Sequence, residues 1–248
     1  MSMLRLRRRA RGLGLSPRRR AAQGPALPSI VQNGLVAGWR FDDGAGQVLT
    51  DYTGNGHHGR LGSTTGADAA DPTWTARGLS FDGGDEVEVS DGAGISGGVA
   101  RTVLTVVKTN SAGEFGVQWR QKPSPSTLKR WTLRKVNTGI TLRIEFSGGG
   151  HTSALIWPVS SWMLVGATQS GSNANTITLY LDGASEACTL NQMLDTQGVF
   201  QFGWVDSNAV VMEAAHGLVY NRALAPAEVE QNRQALKVIL APRGITLP

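Results

Sequence analysis

The chain has 248 residues and a mass of 26.3 kDa, which suits one large β-rich domain with tails better than two domains. Gly supplies 32 residues, well above a usual share of roughly 7%, and 40% of the residues are hydrophobic; the first argues against a helical bundle and the second excludes wholesale disorder. The net charge of +5 is unevenly held: residues 1–41 carry nine Arg and no acid, leaving 15 basic against 19 acidic residues in the rest, so a basic nucleic-acid-binding body is excluded.

Residues 1–28 hold Arg5, Arg7, Arg8, Arg9, Arg11, Arg18, Arg19 and Arg20 among small residues and three prolines, without apolar periodicity. Three readings stay open: a solvated arm, an arm that folds on a partner protein through Arg–carboxylate contacts, or an arm on phosphates. A secretory signal is not expected, because no apolar stretch follows the charges. Residues 29–224 read as short strands between Gly, Asn, Asp and Ser turns. Strands are predicted over 35–41, 79–81, 86–89, 101–109, 114–120, 131–135, 141–146, 163–169, 176–181, 200–203 and 214–220. Alternation is plain in TVLTVVK from Thr102 and in TITLYL from Thr176. No helices alternate with these strands, so the sheets are expected to be antiparallel. Residues 225–248 form a third segment. A helix is predicted over 225–240, with Pro226 in its first turn, Glu228 and Glu230 near its positive end and Pro242 as its stop. The last seven residues are apolar enough to dock.

The single Cys188 excludes an internal disulfide and a cysteine zinc site. No apolar run reaches the roughly 18 residues of a membrane-spanning helix. The four His lack metal-ligand spacing; His57 and His58 are expected to satisfy local hydrogen bonds. Asp51 is placed to accept from the following turn, where Gly54 and Gly56 supply positive φ. Asp82-Gly83 and Asp182-Gly183 read as hairpin turns. Trp39 and Phe41 are expected to fill the core.

Five segments, in order, resemble the laminin-G-like jelly roll of the concanavalin A-like lectin/glucanase superfamily. They are GLVAGWRFDDGAG from Gly34, DYTGNGHHG from Asp51, GLSFDG from Gly78, LYLDG from Leu179 and YNRALA from Tyr220, the last running into Pro226-Ala227-Glu228-Val229. The resemblance spans residues 34 to about 230. It implies an all-β, antiparallel two-sheet jelly-roll sandwich, here with an extended basic N-terminal arm and a short C-terminal helix. Enzymes of this superfamily carry a carboxylate pair on one strand, roughly E-x-D-x-x-E. The nearest run here is Asp85-Glu86-Val87-Glu88, which departs from that pattern, so no catalytic residue is expected. Many relatives hold a structural Ca²⁺ with an Asp in the strand before YNRAL. The matching positions here are Ala215 and His216, which removes that ligand and leaves Asp42 and Glu213 as the remaining candidates; no cofactor is expected. Sugar-binding relatives use aromatic platforms. Trp119 and Trp131 are the candidates, flanked by Arg120, Lys122, Lys129 and Arg130 across a Pro123–Pro125 loop that could meet acidic glycans; a core role for either Trp is the plainer alternative. Trp162 is expected in the core.

The expectation that follows is a non-enzymatic bacteriophage virion component, on the capsid or the tail. The arm would hold it to other virion proteins in several copies, and the jelly roll would meet host surface glycans; no membrane contact is expected. The basic arm, the missing disulfide and export signal, and the single stand-alone domain point this way, by analogy of fold. A carbohydrate-binding module of a bacterial protein is the alternative, and a glycoside hydrolase a more distant one.

Overall fold

The structure is a computed structural model, and it describes residues 28–109, 116–120, 131–135, 141–146, 149–171, 175–190, 198–203 and 210–248, with the side chains of Arg120 and Asn175 outside the description. In chain order the strands are β1 (Leu35–Trp39), β2 (Val48–Leu49), β3 (Gly59–Leu61), β4 (Thr73–Trp74), β5 (Leu79–Asp82), β6 (Glu86–Val89), β7 (Arg101–Thr109), β8 (Gly116–Arg120), β9 (Trp131–Lys135), β10 (Thr141–Phe146), β11 (Gly149–Ile156), β12 (Trp162–Gln169), β13 (Asn175–Leu181), β14 (Ala184–Leu190), β15 (Val199–Gly203) and β16 (Val211–Tyr220). One α-helix, α1 (Pro226–Leu240), follows.

The strands form two antiparallel sheets. The first runs β14-β13-β12-β7-β16-β5-β4, with β1 paired to β16; the second runs β11-β10-β9-β8-β15-β6-β3-β2. Alternation sends one set of side chains between the sheets, where Trp39, Phe41, Trp119, Trp131, Phe200 and Phe202 make the centre of the main core. Trp39 stacks on Phe200 at 5.6 Å and meets Phe202 edge-on at 5.3 Å. The outer face of the first sheet is apolar as well, through Leu104, Val106, Leu164, Tyr180 and Leu218. α1 covers it with Val229, Leu236 and Leu240. Ile30 and Val31 join this second cluster from the N-terminal side, and Ile245 and Leu247 join it from the C-terminal tail.

Several local features follow from the residues. Asp182 (φ 42) and Gly183 (φ 88) are both left-handed, the geometry that a two-residue hairpin between β13 and β14 demands. Asp82-Gly83 is different: β5 lies in the first sheet and β6 in the second, so this dipeptide carries the chain across the sandwich and makes no hairpin. β1 stops at Trp39, two residues before the predicted end, because Phe41 takes φ 56. Asp51 gathers the turn after it: its carboxylate accepts from Gly38 N (3.0 Å), Thr53 N (3.0 Å) and His57 N (3.1 Å). Its own N–H donates to His58 Nδ1 at 3.1 Å, and His57 Nδ1 meets Asp91 at 2.7 Å. α1 begins at Pro226, and Glu228 reaches back to accept from Ala225 N at 2.9 Å while pairing with Arg222 at 2.6 Å.

Strands β2, β3, β4, β11 and β14 were not among those the sequence predicts. β2 and β4 are two residues each, below the length at which alternation can be read. β11 opens with two glycines and β14 reads ASEACTL; both lie at sheet edges, where burial demands few apolar residues.

Candidate functional site

The two outer faces of the sandwich differ in chemistry. The first sheet's is apolar and covered; the second sheet's is polar. On β6, β8, β9, β10 and β15 the residues between the core positions are Glu86 and Glu88, Gln118, Thr132 and Arg134, Arg143 and Glu145, and Gln201. Strand register lines them up: Gln201 lies opposite both Glu88 and Gln118, Gln118 opposite Thr132, and Thr132 opposite Glu145.

Hydrogen bonds link this row. Gln118 Nε2 donates to Gln201 Oε1 (3.2 Å), and Gln201 Nε2 donates to Glu86 Oε2 (2.6 Å). At one end Arg60 reaches Glu88 at 3.4 Å. At the other, Glu145 Oε1 accepts from Arg134 (2.9 Å) and Arg143 (2.6 Å), and Arg143 also donates to Thr152 Oγ1 (2.6 Å). Burial pushes the Glu145 carboxyl up, but Arg143 and Arg134 outweigh it and hold it below the usual carboxylate range. The middle of the row is buried, whereas the side chains of Arg60 and Arg143 are 30% and 31% exposed. Ligand access therefore lies at the ends. Planar amide, guanidinium and carboxylate groups fixed in this way are suited to hydrogen-bonding hydroxyl groups, which both donate and accept.

The predicted platforms lie on the other side of the same strands. Trp119 and Trp131 are fully buried in the main core and meet each other edge-on at 5.1 Å. Trp119 Nε1 donates to Gly92 O at 2.7 Å, and the Arg101 guanidinium lies 5.1 Å from its ring. Neither indole presents a face to a ligand, and the platform expectation is corrected for both. Trp162 is buried under α1. Arg120 ends β8, with its side chain outside the description; Arg130, Lys122 and Lys129 lie outside the described residues, as do Arg5, Arg7, Arg8, Arg9, Arg11, Arg18, Arg19 and Arg20.

The calcium candidates are not brought together. Glu213 is paired with Lys108 at 2.7 Å and borders one pocket with Arg77 and Arg243; Asp42 borders another with Arg40, Tyr52 and His216. Among the described residues no group of three or more His, Cys, Asp or Glu is placed to hold a metal, and no helix is long and apolar enough to cross a membrane. In the acidic run, Glu86 and Glu88 share the polar face. Asp85 is buried and accepts from Asp82 N at 2.7 Å; burial above all pushes its carboxyl up to about 6. It staples the chain where it crosses between sheets.

No family model matches the chain, and no curated protein matches it. Solved structures do. Trypanosoma rangeli sialidase in complex with sialic acid aligns at a TM-score of 0.62 and 17% identity, over 87% of this chain and 35% of that one. Domain 4 of AbnA, a GH43 extracellular arabinanase from Geobacillus stearothermophilus, in complex with arabinotriose, aligns at 0.56 and 16%, over 81% and 98%. The chain is an antiparallel two-sheet jelly-roll sandwich. The receptor binding domain of botulinum neurotoxin D shares this sandwich at a TM-score of 0.55 and 12% identity, over 85% of this chain and 53% of that one. The chain thus spans about a third of the sialidase and nearly all of the arabinanase domain.

Residues that the sequence reading did not single out, notably Gln118, Gln201, Arg143 and Glu145, form the row. Their signal was present as the polar half of each strand's alternation. It was not readable as a site until register placed the strands side by side.

Proposed function

We propose that this jelly roll is a non-enzymatic glycan-binding domain that uses the outer face of its second sheet. The observation that carries the reading is the asymmetry of the sandwich: one outer face is sealed by α1 and both terminal segments, and the other carries a hydrogen-bonded polar row with arginines open at its ends. The arabinotriose complex of the arabinanase domain and the receptor-binding role of the neurotoxin domain, both on the same sandwich, support it. Glu86 and Glu88 lie on one strand face, tied to Gln201 and Arg60, and serve here as hydrogen-bonding groups. Affinity electrophoresis against neutral and acidic polysaccharides tests this. Retention on at least one polymer is expected, weakened about tenfold by Arg143→Ala or Arg60→Ala, since a hydrogen bond to a charged group contributes about 1.5–3 kcal/mol. Retention on none, or retention indifferent to both variants, defeats the reading. Reducing ends released from a retained polymer would instead establish a hydrolase.

The same asymmetry favours display on a particle, which we propose to be a bacteriophage virion. Ser29 O accepts from Gln231 of α1 (2.9 Å) and Val31 N donates to Asn232 Oδ1 (2.8 Å), so Ser29, next to the basic segment in sequence, lies on the α1 side, opposite the polar row. A segment 1–28 bound to neighbouring virion proteins would leave the accessible ends of the row, at Arg60 and Arg143, clear of the particle. Deleting residues 1–28 is expected to leave a folded, glycan-retaining domain that no longer incorporates into particles. Unchanged incorporation of the truncated chain refutes the anchoring role.

A further inference from the structure

A second, unrelated pocket lies on the α1 side. It has a volume of about 310 Å³ and is bordered by Ile30, Gln32, Arg40, Asp42, Tyr52, His216 and Ile239. That size is at the small end for ligand sites. Two of its polar groups lack the partners that their burial calls for, and a third, on the exposed Arg40, stands beside them. His216 is 2% exposed, and its Nδ1 has no hydrogen bond. The Tyr52 hydroxyl is buried and also has none. The Arg40 guanidinium lies 4.7 Å from the centre of the Tyr52 ring and forms no ion pair among the described residues. Native interiors rarely leave such groups unmatched, and where they do the site calls for an explanation.

The backbone has been shaped to bring these groups together. β16 carries a bulge between Ala214 and His216. Met212 and Ala214 point into the main core; after the bulge Val219 does so, and Leu218 and Tyr220 face α1. Without the extra residue, strand alternation would aim His216 between the sheets. With it, the imidazole reaches the pocket wall. Tyr52 can lie where it does because residue 38 is Gly: a Cβ there would come within 2.7 Å of the Tyr52 ring. Arg40 and Asp42 flank Phe41, whose left-handed backbone is braced by Arg243, a donor to the carbonyls of both Arg40 and Phe41.

We propose that this pocket binds a small hydroxylated carboxylate, of the sugar-acid or hydroxy-acid class, with its carboxylate on Arg40 and the Tyr52 hydroxyl and its hydroxyl groups on His216 and Asp42. The chemistry selects this class from both directions. Arg40 offers only donors, so it requires an acceptor, and an anion satisfies the guanidinium best; the neutral Tyr52 hydroxyl can donate to the same anion. Asp42 accepts only and would repel a bare anion, so the ligand must also bring donors. Burial keeps His216 neutral, pushed down to about 3, with the Arg243 and Arg40 charges adding to it; burial pushes Tyr52 up to about 12. Both are therefore neutral hydrogen-bonding groups at physiological pH. Ile30 and Ile239 supply apolar walls for the ligand's carbon skeleton.

The test uses the full chain with D-glucuronate as probe and D-glucose as its uncharged counterpart. Amide chemical shifts and melting temperature are followed on titration. Glucuronate is expected to give saturable shifts at Arg40, Tyr52 and His216 and to raise the melting temperature; glucose is expected to do neither. Arg40→Ala, at an exposed position, should weaken glucuronate at least tenfold. Tyr52→Phe removes a hydroxyl without a partner, so it should leave the free protein's melting temperature unchanged or higher while weakening the probe. The proposal fails if glucuronate does not shift these residues, if glucose binds as well, or if Arg40→Ala binds undiminished. It also fails if Tyr52→Phe destabilises the free protein, which would mark the hydroxyl as structural.

Discussion

Trp119→Ala is expected to lower the stability of the domain by about 3–5 kcal/mol, the range for emptying a fully buried large aromatic site. Three losses combine. The indole fills the middle of the main core, 4.6 Å from Phe200 and 5.1 Å from Trp131. Its Nε1–H satisfies Gly92 O, which would be left without that donor. Its ring also covers the buried guanidinium of Arg101, which burial already pushes down to about 10. A drop in melting temperature of about 10 °C or more should follow for a domain of this size. Thermal melts monitored by circular dichroism check it. The outcome separates the two roles considered for this residue: a surface platform would lose sugar retention with no change in melting, whereas a core indole destabilises the fold. An unchanged melt would overturn the core assignment.

Asp51→Ala is the second large effect, at about 2–4 kcal/mol, because it strips a shared acceptor from the backbone N–H groups of Gly38, Thr53 and His57 together. One buried carboxylate here joins β1 to the following turn, which in turn places His57 O to accept from Trp39 Nε1 at 2.8 Å. Burial pushes the Asp51 carboxyl up, yet the hydrogen bonds from Thr53, Gly38 and His57 outweigh it and hold it below 3.8. A carboxyl lowered in the folded state binds fewer protons there than in the unfolded chain. Its stabilisation is present above the unfolded value and fades as pH falls through the folded one. Urea denaturation across pH should show the wild-type and Asp51→Ala curves far apart near neutrality and converging in strong acid. Parallel curves at all pH values would mean that the carboxylate's charge has no part in the effect.

The fold was legible where one strand carried its own signal. β7, β12 and β13 alternate or run apolar over seven or more residues, and Asp182-Gly183 states its turn by residue type. Legibility failed where the meaning depended on a distant partner. Asp82-Gly83 has the same composition as Asp182-Gly183 but joins the two sheets, because Asp82 stays in strand geometry. Trp119 and Trp131 sit on strands whose two faces are both occupied, one by core and one by the polar row, and a lone indole does not say which it faces. The row is built from one or two residues on each of five strands, so it exists only once register is known. His216 occupies a position whose direction depends on one extra residue in β16, and a bulge leaves little trace in composition.

Gln231 holds Ser29 O and Arg233 donates to Pro248 O at 2.6 Å, so side chains two positions apart on one helix grip the start and the finish of the folded body. A linker long enough to pass around the helix could join Pro248 to Ser29, since loop-closure cost grows only slowly with length, and the chain could be reopened in the exposed segment of residues 44–46. Such a circular permutant would keep every sheet pairing while releasing the α1 side from any tether.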